Sequence, residues 1–407
     1  MLALFKSFSP KVRAYLLMNS FFSFGNALSG IFLSVFLWRL DETFTLLAIY
    51  SLFFSLSIML NFWICAGLAR KTSPMTTLRI GIVFYIITYL IIILNQTSLE
   101  NHVMLLGIML GMAVSLFSVG AHMAVLDLTK DNRRDQFLYV QGMMVTTGGL
   151  IGPLFSGFLI EQFEGLVGYF FVFSVTCLFF ILSILSSFKI KGKPIAEKSY
   201  FWDVVKKPSQ QWKRMYVVMF GEGIVSGVYG TFLVSMMIFI VAGGELNLGI
   251  FNFGAEVVSI LSFFLLAKIS KPERRIMIYS IGAISLFLVS VFLSVFPVLF
   301  GLLLFGLIKP IAGNMIGTSM NAFIYAAIEK DPEYEKRRLD YIVVREIPLG
   351  LGRIIGILLF LGMRSLYDLE ELLSISFGIF PVFYVLMIPV LYYAWRKSES
   401  VEKSISV

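Results

Sequence analysis

Apolar runs of helix length recur along this chain, and short polar junctions separate them. A helix that crosses the hydrocarbon core of a bilayer needs about 20 apolar residues. Twelve stretches meet that length, at roughly 14–38, 44–68, 77–95, 102–127, 137–160, 166–188, 215–241, 246–267, 276–295, 298–327, 340–363 and 372–395. The pattern predicts an all-α integral membrane protein with twelve transmembrane helices. The longest polar stretch, Lys189 to Arg214, divides the spans into two sets of six. This gives an N-terminal half (1–188), a linker (189–214) and a C-terminal half (215–407). Within the linker, Tyr200 to Trp212 is expected to lie on the membrane surface as a short amphipathic helix, with Trp202 and Trp212 at the interface.

Composition agrees with the spans. Hydrophobic residues make up 58% of the chain and charged residues 14%, where a soluble domain carries roughly a quarter charged residues. A formal charge of +8 invites a nucleic-acid reading, but the placement of the cations excludes it. Of the 33 basic residues, 28 fall at the termini, in the linker and in every second junction, and only Arg39 and Arg364 fall on the opposite side. That alternation follows the positive-inside rule and places both termini and the linker in the cytoplasm of a cell or inner membrane. Cys65 and Cys177 both lie inside apolar runs, so no disulfide framework is available. Met1 to Lys11 has no small-residue cleavage site, so the first run is read as a retained helix. The chain has no phosphate-cradling loop, no cluster with metal-ligand spacing and no hydrolytic triad, and its only histidines are His102 and His122. These absences argue against an enzyme, a cofactor or a bound metal.

The chain repeats itself. Gly67-Leu68-Ala69-Arg70-Lys71-Thr72-Ser73-Pro74 returns 198 residues later as Leu265-Leu266-Ala267-Lys268-Ile269-Ser270-Lys271-Pro272. Each copy lies between two spans. Tyr15 to Met18 likewise matches Tyr216 to Met219, and Arg133-Arg134 matches Arg337-Arg338. Six helices repeated once keep their orientation, so the halves are parallel repeats about an axis along the membrane normal.

On these residues the chain resembles a major facilitator superfamily transporter over essentially its full length. The family's loop between spans 2 and 3 reads G-x-L-A-D-R-x-G-R-K. Leu68-Ala69 matches it, while Arg70, and Lys268 in the second copy, stand where the family has Asp. The cytoplasmic latch which that acid provides must therefore be made by other groups. Span 5 resembles the pattern G-x-x-x-G-P-x-x-G-G in Gly148-Gly149-Leu150-Ile151-Gly152-Pro153-Leu154-Phe155-Ser156-Gly157; in the family this motif is associated with antiporters. Independently of any family, Gly148, Gly152 and Gly157 open a face for close helix approach, and Pro153 leaves a carbonyl one turn earlier without its partner. Gly352 and Gly356 keep that spacing on span 11. The family's Arg on span 4 has no counterpart, because Met104 to Val125 contains no Arg or Lys.

Ionisable groups inside spans are costly and point to function. Glu256 falls near mid-bilayer, about 18 Å from Lys268 by helical rise. Glu222 lies roughly 12 Å inside span 7, with Ser226 and Tyr229 following on its face at helical spacing. In the family, spans 1, 4, 7 and 10 line the cavity, which places Glu222 to meet substrate. On span 11, Glu346, Gly350 and Arg353 share a face. About 10 Å of rise separates Glu346 from Arg353, so each is expected to pair across helices rather than with the other, while Arg345 points elsewhere. Lys309 sits beside Pro310 in mid-span 10, where an anionic substrate group or Glu222 can neutralise it. Asn314, Thr318 and Asn321 form a polar stripe suited to joining helices. Asn26 and His122 are cavity candidates in the N-terminal half.

The resulting expectation is a monomeric secondary carrier that acts on a small-molecule or amphiphilic substrate, coupled to protons and directed to export. Two alternatives are a flippase or exporter for an anionic amphiphile or lipid-linked sugar, and a non-transporting membrane sensor on the same scaffold.

Overall fold

The computed structural model describes residues 8–42, 44–95, 99, 102–128, 131–190, 192, 198–269, 274–329 and 331–405. Every expected span coincides with helix. α1 (Pro10–Asp41), α2 (Phe44–Lys71), α3 (Pro74–Asn95), α4 (Val103–Leu128), α5 (Asp131–Glu161) and α6 (Val167–Ser187) form the first set. After a short linker helix, α7 (Phe201–Lys206), span 7 is built from three pieces: α8 (Gln210–Val225), a π-helical segment (Ser226–Leu233) and α9 (Val234–Ala242). Then come α10 (Glu245–Ile269), α11 (Arg275–Val295), α12 (Leu299–Glu329), α13 (Tyr334–Arg364), α14 (Leu369–Ile379) and α15 (Val382–Ile405), the last two making span 12. In hydrocarbon every backbone N–H and C=O needs an internal partner, and a helix supplies one locally. Eleven of the described helices are long and apolar enough to cross a membrane. Of the twelve expected spans, the one outside that set is α13, which carries Arg345, Glu346 and Arg353 in its interior.

The chain folds as two compact units. The first joins Met1–Glu197 to Ile238–Glu256, and the second joins Lys198–Met237 to Val257–Val407. In the first unit α1 packs on α5 and α6, and α4 packs on α2 and α3. Its core is aromatic: Phe22 stacks on Phe117 at 3.7 Å and on Phe180 at 5.3 Å between ring centroids. In the second unit α13 packs along α8 and the π segment, and α11 packs on α12. Large apolar side chains such as Leu60, Trp63, Leu94, Leu288 and Leu303 remain exposed, as a protein whose solvent is lipid allows.

Polar side chains set where helices begin. Ser209 accepts from the Trp212 N–H at 3.1 Å and starts α8, and Asp368 accepts from the Glu371 N–H at 3.0 Å and starts α14. Gly243 (φ 79°) and Gly244 (φ 146°) hold conformations that side-chain-bearing residues rarely adopt. They make the tight turn that brings Glu245 to the head of α10.

The linker departs from expectation. Among its described residues helix covers Phe201–Lys206 and, from Gln210, the start of α8, and of the two tryptophans Trp202 is the exposed one. Trp212 is fully buried, with its ring centroid 4.8 Å from that of Tyr341. A helix-start residue facing its own bundle cannot also face headgroups. The linker is instead fastened to α13: the buried Asp340 carboxylate accepts from the Ser199 hydroxyl at 3.2 Å and the Tyr200 N–H at 3.1 Å.

Nine residues earlier, Asp331 braces the turn that leads into the same helix, whose N-cap is Glu333. It accepts from the Tyr341 hydroxyl at 2.6 Å, the Glu333 N–H at 2.9 Å and the Arg337 guanidinium at 3.2 Å. Burial alone would raise this carboxyl, but these three donors outweigh it and hold Asp331 below the usual carboxylate range. A depressed folded-state pKa contributes stability that is complete above the unfolded value of about 3.9 and lost as pH falls through the lower folded value. Asp331→Asn is therefore expected to lower the thermal midpoint equally at pH 5 and pH 8. The gap to wild type should close below about pH 4, and a gap that persists unchanged there would contradict this role.

Candidate functional site

In the second unit, span 7 and α13 meet backbone to backbone. Gly223 lies against the Leu349 carbonyl, Gly352 against the Phe220 carbonyl and Gly356 against the Ile224 carbonyl. A Cβ placed on Gly227 would sit 2.6 Å from the Arg353 carbonyl oxygen. Small residues at this spacing let two helix axes approach closely. The expected packing role of Gly352 and Gly356 is seen here as a direct seam with Gly223 and Gly227.

Beside that seam lies a group of charges. The Glu346 side chain is 5% exposed, and its carboxylate is bracketed by Arg345 Nη2 at 3.2 Å and Arg353 Nη1 at 3.3 Å. This corrects two expectations. Glu346 and Arg353 pair with each other along one helix, and Arg345 turns toward the same carboxylate. Helical rise alone misled, because a long Arg side chain leans toward the helix N-terminus and covers most of the separation. Pro348, between the two, also withholds an N–H from the Val344 carbonyl. Glu222, half-buried next to Gly223, interacts electrostatically with Arg353, Arg345 and Glu346, and also with Tyr279 and Tyr384. The Tyr279 hydroxyl donates to the Tyr384 carbonyl at 3.2 Å.

Tyr229, like Glu222, interacts electrostatically with Tyr384. It falls in the π segment, where each turn takes up an extra residue and shifts the register. Its hydroxyl pairs with Ser290 at 2.6 Å, its ring lies 5.0 Å from Phe377, and it is buried. Thr231 donates to the Ser226 carbonyl five residues back, at 2.8 Å. Asn314 joins α12 to α10, donating to the Ser259 carbonyl, the Ser259 hydroxyl and the Ser262 hydroxyl at 3.2, 3.0 and 2.6 Å. Lys309, beside Pro310, is half-buried and has a partner of its own.

In the first unit the glycine-proline segment of α5 is approached from two sides. A Cβ on Gly152 would sit 2.9 Å from Ala27 Cβ of α1, and one on Gly148 would sit 3.2 Å from Phe24 Cα. From the other side, Gly157 touches the Glu245 backbone, Gly249 lies against the Pro153 carbonyl, and the Glu256 carboxylate would be 3.7 Å from a Cβ on Gly149. Glu256 thus lies directly over the motif. Asn26 is exposed on α1. His122 and Arg70 are half-buried and partnered. Lys268 ends α10 with its side chain outside the described residues.

One further group lies outside the residues singled out from the sequence. Arg39, at the end of α1, donates to Glu245 Oε1 at 2.7 Å, and the Tyr169 hydroxyl of α6 donates to the same oxygen at 2.6 Å. The guanidinium lies 5.4 Å from the Phe239 ring centroid. Glu161 Oε1 accepts from the Leu246 N–H at 3.0 Å and so caps α10. The available signal was an isolated Arg on the cation-poor side and an acid directly after a Gly-Gly turn.

The family profile described as Major Facilitator Superfamily matches residues 96–339. The chain belongs to the major facilitator superfamily. It is thus a multi-pass protein of a transporter family. This facilitator protein is 28% identical over 391 residues to YqgE of Bacillus subtilis, described as uncharacterized; the match covers 95% of this chain and 90% of that protein. It is 24% identical over 306 residues to the staphylopine export protein of Staphylococcus aureus, covering 73% of this chain and 75% of that one. Crystal structures of the human organic anion transporter MFSD10 (TETRAN) and the nucleoside transporter NupG share its fold, with TM-scores of 0.68 and 0.70. Their identities are 13% and 14%; each covers 94% of this chain, and the matches span 100% and 99% of those chains.

Proposed function

We propose that this facilitator protein is a secondary carrier that exports a small molecule in exchange for protons by alternating access, with its termini and linker in the cytoplasm. The observation that carries the reading is Glu256, an acid in mid-span lying over Gly149 of the glycine-proline segment. An intramembrane carboxyl of this kind serves proton relays in pumps and transporters. The resemblance of span 5 to an antiporter-associated motif supports exchange, and the relative named as an exporter supports the direction. The placement of the basic residues supports the orientation. The bodies that move are the halves 1–188 and 215–407, joined by 189–214. In that orientation the Arg39–Glu245–Tyr169 group lies at the non-cytoplasmic end and acts as a latch that closes there and releases in the opposite state.

The test is efflux from proteoliposomes loaded with a bacterial metabolite extract, under an imposed pH gradient, with mass spectrometry of the exterior. Wild type is expected to release at least one small molecule in a gradient-dependent way, and Glu256→Gln to lose that dependence. Full gradient-driven release by Glu256→Gln would remove Glu256 as the coupling site.

A second reading, export of an anionic amphiphile, is favoured by the cations inside α12 and α13, Lys309 and Arg353. A leaflet-specific lipid assay separates the two: no lipid translocation, together with movement of a soluble compound, excludes it.

A further inference from the structure

Two guanidiniums share one buried carboxylate on α13, and each spends a single terminal N–H on it. A guanidinium presents a fork of several donors, so most of this capacity is unused by Glu346. Arg345 Nε is buried with no hydrogen-bond partner. Exposure is also uneven. The Arg345 and Arg353 side chains are 18% and 21% exposed, whereas Glu346 beneath them is 5% exposed. The group therefore offers its positive side outward and keeps its negative charge inside. On a helix expected to span the membrane, a guanidinium that keeps some exposure faces an aqueous path or a ligand, because facing lipid is too costly.

The base of this group is rigid. The seam of Gly223 and Gly227 against Gly352 and Gly356 holds the Arg353 backbone against span 7. The same seam sets Gly223 against the Arg353 backbone nitrogen, so its neighbour Glu222 acts on the two guanidiniums through space as a second acid. With Glu222 present, two cations meet two anions. With Glu222 removed, one positive charge is left over.

We propose that Arg345 and Arg353 form an oxyanion-binding subsite that takes the carboxylate or phosphate group of a small organic anion or of an anionic amphiphile, and that the negative charge of nearby Glu222 opposes its binding. The planar fork of Arg matches either oxyanion, and a charge-assisted bidentate contact is the strongest hydrogen bonding available there. That the bound anion is cargo rests on the carrier reading above; that it binds does not.

The experiment is a binding titration on the full chain in phosphatidylcholine nanodiscs, read by thermal midpoint and intrinsic fluorescence. The probes are benzoate and phenyl phosphate, with neutral benzamide as the control. The two anions are expected to bind and benzamide to give no response. Arg353→Gln should weaken anion binding by about tenfold or more, the scale for truncating one partner of a buried charge pair. Glu222→Gln should tighten it several-fold. That gain keeps the proposal falsifiable if Arg353→Gln fails to fold, since a misfolded protein does not gain affinity. Equal responses to benzoate and benzamide, or no tightening in Glu222→Gln, would overturn the proposal. Phosphatidylglycerol in the nanodisc distinguishes the source: a weaker apparent affinity for benzoate identifies a lipid headgroup in the subsite, and an unchanged one identifies a soluble anion. Oxyanion binding without gradient-driven efflux would sink the carrier reading and leave the subsite standing. Efflux without oxyanion binding would do the reverse.

Discussion

Gly352→Leu is expected to leave the protein unable to form a stable second unit, while Gly362→Leu in the same helix folds normally. A Cβ at Gly352 would strike the Phe220 carbonyl and come within 2.9 Å of Gly223 Cα and the Ile224 nitrogen, whereas one at Gly362 meets nothing within 4 Å. The atoms in the way are backbone, so no rotamer change can relieve the clash. Overpacking a well-filled interior costs typically 1–3 kcal/mol, and more when the neighbours cannot yield. Fluorescence-detected size exclusion in mild detergent reads the outcome: a monodisperse peak for Gly362→Leu, and aggregate or no peak for Gly352→Leu. Equal behaviour of the two variants would mean that the seam between span 7 and α13 is not as tight as described.

The second large effect is expected at the Arg39–Glu245 pair, and it is asymmetric. Arg39 has a side chain 40% exposed and can turn to water when its partner is lost, whereas Glu245 is 8% exposed and cannot. Arg39→Met would leave a buried carboxylate held by Tyr169 alone and is expected to cost about 3 kcal/mol, the scale for an uncompensated buried charge. Glu245→Gln keeps an acceptor for Tyr169 and is expected to cost about 1 kcal/mol. The double variant should be less destabilised than the sum of the two, because the stranded charge has gone. Thermal unfolding of the four proteins in nanodiscs measures this. Strict additivity would show that the pair is not coupled and would remove its role as a latch.

Much of this architecture is legible in the amino-acid sequence. Runs of about 20 apolar residues can only be helices in lipid, so the spans followed from length alone. The glycine spacing on span 5 and span 11 announced close approach, because a face without side chains has no other use in a bilayer. What stayed hidden depended on contacts that no local pattern carries. Arg39 and Glu245 are 206 positions apart, and nothing near either names the other. The pairing of Glu346 with Arg353 was misjudged because helical rise measures backbone and ignores side-chain reach. The π segment of span 7 left no trace in residue spacing, and neither did the hydrogen bond between Tyr229 and Ser290. The residue type of Trp212 suggests an interface, but its place in the first turn of α8 turns it inward.

The central claim is that proton entry and substrate exit are one event that passes through Glu256. Proteoliposomes that enclose the pH dye pyranine, with or without a metabolite extract, test it directly under an inward proton gradient. The account predicts faster lumenal acidification in extract-loaded vesicles than in empty ones, with the difference abolished in Glu256→Gln. Equal acidification in loaded and empty vesicles, or a loaded-vesicle excess that survives Glu256→Gln, would contradict it.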